Sequence, residues 1–127
     1  MEKYMKTEKR LFIPKTQTAG HHGDLVWKRI TKLPEGVEKI KKRPLALGEM
    51  TGHKHVAVAD DIEFFEDSEG RTYIKSMQPV TIRHEKDGQW TGEHNTEVLD
   101  PHKEGLYQVT IKRTYDYLSE EIENVRD

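Results

Sequence analysis

The chain has 127 residues, which suits one domain with a single hydrophobic core. Charged residues make up 35% and hydrophobic residues 33%; the net charge of −2 lacks the basic excess that binds phosphate backbones, so we expect no nucleic-acid partner. The absence of cysteine excludes disulfides, zinc ribbons, iron–sulfur clusters and thiol nucleophiles.

Membrane association and export are not expected from the sequence. No stretch approaches the roughly 18 apolar residues of a membrane span. The N-terminal MEKYMKTEKR lacks the apolar run of a signal peptide. The sequence therefore predicts a cytoplasmic protein without a membrane partner.

The N-terminal segment 1–22 is polar, with one short apolar run that Pro14 ends, and it predicts an irregular arm. Its two histidines, His21 and His22, either belong to a mobile arm or fold over a site formed elsewhere. The next segment, Asp24–Ile30, alternates well enough to predict a strand.

The rest of the chain is a series of short β-type segments separated by turn residues. They are Leu45–Met50, His53–Ala59, Ile62–Glu66, Arg71–Met77, Pro79–His84, His94–Leu99 and Leu106–Tyr115. Hairpin signals lie at Asp67–Gly70 and at Asp87-Gly88. We predict one all-β, mainly antiparallel domain over residues 1–127, either a barrel or a sandwich. A short helix is predicted at Leu118–Val125, and exposed edge strands suggest a homodimer.

The motif GEMTGHKH contains the strongest candidates for a binding site. His53 and His55 are two residues apart on a predicted strand, so their side chains share one face. They are either two metal ligands or ordinary surface or capping histidines. Ala57 and Ala59 continue this face and leave room for a ligand. The opposite face, expected to pack in the core, carries Val56 and Val58.

Later histidines supply further candidates. His84 shares a face with apolar residues of its strand, which makes it either a core histidine or a site residue. His94 follows Glu93, and the pair could be a metal ligand with its hydrogen-bonding neighbour, or simply turn residues. His102 lies in a loop and is expected to face solvent.

The last predicted strand contains two further candidates that could face a ligand, Tyr107 and Arg113. If their shared face points inward, Arg113 needs an anionic ligand or a carboxylate such as Glu49 as its partner. If this is an edge strand, the arginine reaches water instead.

Four motifs in fixed order give the chain a family resemblance. They are Gly48-Glu49-Met50-Thr51-Gly52-His53-Lys54-His55, then Glu93-His94, then Gly105-Leu106-Tyr107-Gln108-Val109, then Arg113-Thr114-Tyr115-Asp116. This order resembles a set of small uncharacterised proteins of bacteria and phages with the pattern GE-x-TGH-x-H, His-x-Glu-His, G-x-Y-x-V and Arg-Glu-Tyr. The resemblance covers roughly residues 22–127 and implies no particular activity.

The sequence departs from that pattern at two points. KDGQWTG separates His84-Glu85 from Glu93-His94 as an inserted hairpin tip, so either His84 or His94 completes a site. Thr114 replaces a glutamate. The chain is also similar, more weakly, to cupins, which are metal-binding β-barrels with H-x-H, a Glu and a later His. Here Asp60 takes the place of that Glu, and the second cupin motif is missing.

Two functional hypotheses follow. The first is a β-barrel or sandwich that binds a small-molecule ligand or a divalent metal (Zn, Fe, Mn or Ni) with His53, His55 and either His94 or His84, helped by Glu49 or Glu93. Whether such a protein is an enzyme is left open. The second is a non-enzymatic accessory or protein-binding module, encoded by a phage or mobile element, in which the histidines are structural.

Overall fold

A computed structural model of the chain describes residues 7–41, 45–47 and 53–111, which form twelve strands and no helix. The strands are β1 (Arg10–Ile13), β2 (Ala19–His22), β3 (Leu25–Ile30), β4 (Glu38–Ile40), β5 (Ala46–Leu47), β6 (His53–Val58), β7 (Glu63–Glu66), β8 (Thr72–Lys75), β9 (Val80–Lys86), β10 (Gln89–Trp90), β11 (Thr96–Leu99) and β12 (Leu106–Ile111).

The strands form two six-stranded sheets that pack face to face. The first sheet has the order β1-β11-β9-β6-β5, with β10 paired to β9, and the second has the order β2-β3-β12-β8-β7-β4. Every pairing is antiparallel except that of β1 with β11. The described residues therefore form a β-sandwich and no closed barrel, which confirms the predicted all-β class.

The inner faces of both sheets contribute to one core, because alternate side chains of a strand point to the same side. Leu25, Trp27, Ile74 and Tyr107 of the second sheet meet a set of small and aliphatic side chains of the first. That set comprises Ala57, Val80, Ile82 and Leu99. Burial of this apolar surface is the main stabilising contribution to the fold.

The hairpin from β9 to β10 follows from its turn sequence. Asp87 and Gly88 both have positive φ, 54° and 80°, as a two-residue hairpin turn requires. The turn pairs Gln89 and Trp90 with the end of β9. The chain then runs back toward β11 through residues 91–95, and Glu93 and His94, which follow the predicted hairpin tip, lie beside β9.

Two expectations about the strands were wrong. The segment expected to be an irregular arm contains β1 and β2, because each finds a partner strand already in a sheet. On β6 the histidine face, not the valine face, points into the sandwich: Ala57 is buried whereas Val58 is 46% exposed. The inner face of β6 carries histidine and alanine because imidazole rings from both sheets, and not aliphatic side chains, fill the space beside it.

Three predicted features lie outside the described residues: Glu49, Arg113 and the helix Leu118–Val125. Within the described ranges, no helix has the length and apolar character needed to cross a membrane.

Candidate functional site: a histidine cluster between the sheets

One end of the sandwich interior contains histidines in place of aliphatic side chains. His55 on β6 pairs directly across from His84 on β9, and both are buried. From the second sheet, His22 at the end of β2 points into the same space and is 3% exposed. The two sheets thus bring together histidines that lie far apart in the sequence.

Five imidazole rings meet there, and we call them the histidine cluster: His22, His53, His55, His84 and His94. Six pairs of these rings have centroids between 4.8 and 5.9 Å apart. The shortest separation, 4.8 Å, joins His55 and His84. His94 contacts rings from both sheets, at 5.3 Å from His22 and 5.1 Å from His84.

The carboxylate of Glu93 joins two members of the cluster. Its Oε1 lies 2.9 Å from Nδ1 of His53 and 3.2 Å from Nδ1 of His84. One ligand atom from each of these three residues lies within 4.8 Å of the others, so the group could hold a metal ion. A tetrahedral ion with bonds of roughly 2.0–2.1 Å spaces its ligand atoms by about 3.3 Å, close to the two measured contacts.

The loop that carries Glu93 is fixed by hydrogen bonds to its surroundings. Thr91 Oγ1 accepts a hydrogen bond from the backbone N–H of Glu93 and lies 2.8 Å from Nδ1 of His84. The indole N–H of Trp90 donates to the carbonyl of His94 at 2.6 Å. These bonds hold the loop against β9 and keep the carboxylate beside the two imidazoles.

A second contact within the cluster joins the two sheets. Nδ1 of His22 lies 3.1 Å from Nδ1 of His55, and Nε2 of His22 bonds to the carbonyl of Asn95. A carbonyl oxygen only accepts, so Nε2 of His22 is the protonated nitrogen. In a neutral His22 the lone pair is then on Nδ1, facing His55.

Burial favours the neutral form of three cluster members, His22, His55 and His84. Desolvation, followed by repulsion from His22, His84 and His94, lowers the pKa of His55 to about 3. Desolvation likewise lowers the pKa of His22, against the raising effect of its bond to Asn95. The pKa of His84 is lowered by burial, although the charge of Glu93 opposes this shift. Neutral imidazoles are the form that binds metals.

Gly23 allows these rings to pack closely. Its φ of +62° is a conformation that favours glycine, and a Cβ placed there would lie 2.7 Å from Nε2 of His94 and 3.2 Å from Cε1 of His55. Any side chain at this position would displace the rings. The turn after β2 therefore depends on glycine both for its backbone and for space.

The structure brings most of the predicted site residues together. His53, His55, His84, His94 and Glu93 all lie in or beside the cluster, so the alternatives of His84 and His94 are both present. Glu93 reaches the site because it lies in a loop, where strand alternation does not apply.

Two other residues lie elsewhere. Tyr107, predicted to face a ligand, is fully buried on β12 and bonds to Arg29 at the far end of the sandwich. His102, expected to face solvent, is only 13% exposed, since its Nε2 bonds to the Ile30 carbonyl and its ring packs on Tyr107.

His22 is the member whose place the sequence left open, either in a mobile arm or folded over the site. Its signal was weak: the strand Ala19–His22 contains no large apolar residue, so its alternation is hard to recognise. The pairing of His22 with Leu25 shows that the residue belongs to an inner face.

Comparison with known proteins supplies a family. Residues 21–112, well over half of the chain, match a family model described as "Domain of unknown function (DUF8820)". The matched region contains the whole histidine cluster and Glu93. No curated protein and no solved structure matches the chain, and the weaker similarity to cupins thus gains no support. The chain belongs to the DUF8820 family, which agrees with its resemblance to uncharacterised proteins.

Proposed function

We propose that this domain binds a divalent transition-metal ion through His53, His84 and Glu93. The observation that supports this most directly is the convergence of one ligand atom from each residue within 4.8 Å. The three residues come from β6, β9 and the loop after β10, so three separate segments contribute. Glu93 occupies a loop position that nothing in the hydrophobic core requires, which favours a binding role over a packing role.

The donor set restricts the kind of ion. Two imidazoles and one carboxylate suit Zn²⁺ and Fe²⁺, and also Mn²⁺ or Ni²⁺, better than the all-oxygen preference of Ca²⁺ or Mg²⁺. The chain has no cysteine, so sulfur ligation is excluded. An ion at this position would replace the protons of the two Nδ1 atoms that face Glu93.

Solvent reaches this site from one side. The side chain of His53 is 25% exposed and that of Glu93 is 48% exposed, whereas His84 is 9% exposed. Three protein ligands with an exposed edge leave a coordination position for water or a small molecule, as catalytic metal sites do. We propose that a small ligand binds the ion from that side.

Metal binding by four proteins tests the proposal: wild type, His84→Gln, Glu93→Gln and the control His21→Gln. His21 is exposed and adjoins the cluster in sequence, so it should not matter. In isothermal titration, the affinity for Zn²⁺ should be weakened by about 100-fold in His84→Gln and Glu93→Gln and unchanged in His21→Gln. Equal affinity in all four proteins, or none in wild type, contradicts the proposal.

The histidines also support a second candidate, a β module in which they are structural. His22 already bonds to His55 and to the Asn95 carbonyl, and His84 bonds to Thr91. Among the described residues, no buried side-chain nitrogen of the cluster lacks a hydrogen-bond partner. In that case, Zn²⁺ would leave the unfolding midpoint of the wild type unchanged. The metal-binding proposal predicts a rise in that midpoint that grows with free Zn²⁺.

A further inference from the structure

We propose that the histidine cluster contains a second metal position, formed by His22, His55 and His94, beside the ion held by His53, His84 and Glu93. This inference rests on the proposed function and extends it to a two-metal centre. It assigns a ligand role to His22, the residue that joins the second sheet to the site.

The first support is the contact between His22 and His55. Two buried imidazole nitrogens face each other across 3.1 Å, near the spacing of about 3.3 Å between two ligands of one tetrahedral ion. The remaining ring nitrogen of His22 donates to the Asn95 carbonyl. Metal-binding histidines regularly donate their second ring N–H to such an acceptor, which directs the lone pair toward the ion.

His94 supplies the third imidazole. Its ring centroid lies 5.3 Å from that of His22 and 5.9 Å from that of His55. Nε2 of His94 and Cε1 of His55 both lie within 3.2 Å of the point where a Gly23 Cβ would be. Nε2 of His94 and the edge of the His55 ring between its two nitrogens therefore both lie against Gly23.

The two sets of donors adjoin each other through His84. The centroid of its ring lies 4.8 Å from that of His55 and 5.1 Å from that of His94. His84, a ligand of the first position, therefore packs against two ligands of the second. Paired metal ions in enzymes lie about 3.5–4 Å apart and together stabilise an oxyanion. An anionic oxygen ligand, such as a phosphate or carboxylate group, is the class that such a pair would bind.

The chemistry of the second set differs from that of the first. Three imidazole ligands without a carboxylate favour Zn²⁺, Ni²⁺ or Cu²⁺. Two members of this set are more deeply buried than His53 and Glu93: His22 is 3% exposed and His55 is 7% exposed. We therefore expect the two positions to fill at different Zn²⁺ concentrations.

Metal stoichiometry tests this inference. Zn²⁺ bound after equilibrium dialysis is counted by mass spectrometry for wild type, for His22→Gln with His94→Gln, and for His53→Gln with Glu93→Gln. We expect two ions in wild type and one in each double variant, with two retained in His21→Gln. One ion in wild type, unaffected by the His22 and His94 changes, overturns the second position but leaves the proposed function intact. No ion in wild type overturns both.

A second measurement covers the case in which a double variant does not fold, as judged by circular dichroism. Wild-type protein is loaded with Cu²⁺ and studied by electron paramagnetic resonance at one and two equivalents. Adjacent ions should give a spin-coupled spectrum at two equivalents. Signals of isolated ions at both loadings would contradict the inference.

Discussion

Two polar groups, one at each end of β3, are held in different ways. Near Leu25 lies the histidine cluster; near Arg29, which pairs with Tyr107, lies a group centred on the guanidinium. Arg29 donates to four acceptors: the carbonyls of Pro14, Gln17 and Asp100 and the hydroxyl of Tyr107. The guanidinium also packs over the rings of Trp27 and Tyr107, at 5.5 and 5.4 Å.

The difference between the two ends shows what distinguishes a structural polar group from a binding site. A guanidinium that donates to fixed carbonyls has no lone pair to offer and cannot bind a metal cation. In the cluster, by contrast, His22 and His55 face each other nitrogen to nitrogen, and Glu93 faces two more imidazoles. Those contacts can be replaced by metal bonds. This contrast supports a structural role for the Arg29 end and the binding role that we propose for the histidine end.

The largest loss of stability is expected from Arg29→Ala. Removing the guanidinium leaves several carbonyls and the Tyr107 hydroxyl without their donor, which should lower the free energy of unfolding by about 3 kcal/mol. Urea unfolding of the variant and of Lys28→Ala, an exposed neighbour on β3, measures this effect. Affinity for Zn²⁺ should be unchanged in the folded variant. A loss below about 1 kcal/mol would remove the assigned structural role.

Gly23→Ala should have an intermediate effect that reaches the site. The alanine would have to adopt φ +62° and place its Cβ 2.7 Å from Nε2 of His94, so we expect a loss of about 2 kcal/mol together with weaker Zn²⁺ binding. Gly36→Ala is the matched control, because Gly36 also has positive φ but nothing lies within 4 Å of its Cβ position. Equal losses and equal Zn²⁺ affinities in the two variants would contradict the close packing of His94 on Gly23.

The smallest effect is a dependence of stability on pH in protein treated with a chelator. Unfolded histidines take up protons near pH 6.5, whereas folded His55 remains neutral down to about pH 3. The unfolded state therefore binds more protons below pH 6.5, and stability should fall as the pH is lowered through that window. The slope is at most about 1.4 kcal/mol per pH unit for each such histidine.

Urea unfolding between pH 7 and pH 5 measures this slope, and His55→Gln should reduce it. Stability that is constant from pH 7 to pH 5 would show that the cluster is not held in its neutral form by the fold.

The sequence predicted the fold class because its strands are short, alternate and end at turn residues. Asp87-Gly88 indicated its hairpin correctly, since two consecutive positive φ values restrict the residues that a turn accepts. The inward orientation of the face that carries His53 and His55 was harder to predict. Alternation shows that they share a face but does not say which face is inside, and the valines on the other face suggested the wrong one.

The composition of the site was only partly predictable for the same reason. His84 and His94 were candidates because they lie on or beside recognisable strands, and both belong to the cluster. His22 joins them through β2, whose sequence AGHH lacks the apolar alternation that identifies a strand. Which sheet faces which is decided by long-range packing, and no local pattern in the chain contains that information.

The proposed binding role of the histidine end requires an ion between His53, His84 and Glu93. Anomalous diffraction from a crystal of the Zn²⁺-loaded protein tests this directly. We predict an anomalous peak within about 2.0–2.2 Å of one nitrogen from each histidine and of a Glu93 oxygen. A crystal that shows no peak in the cluster, or a peak only at exposed residues such as His21, would contradict the assignment of this end of the sandwich as a metal site.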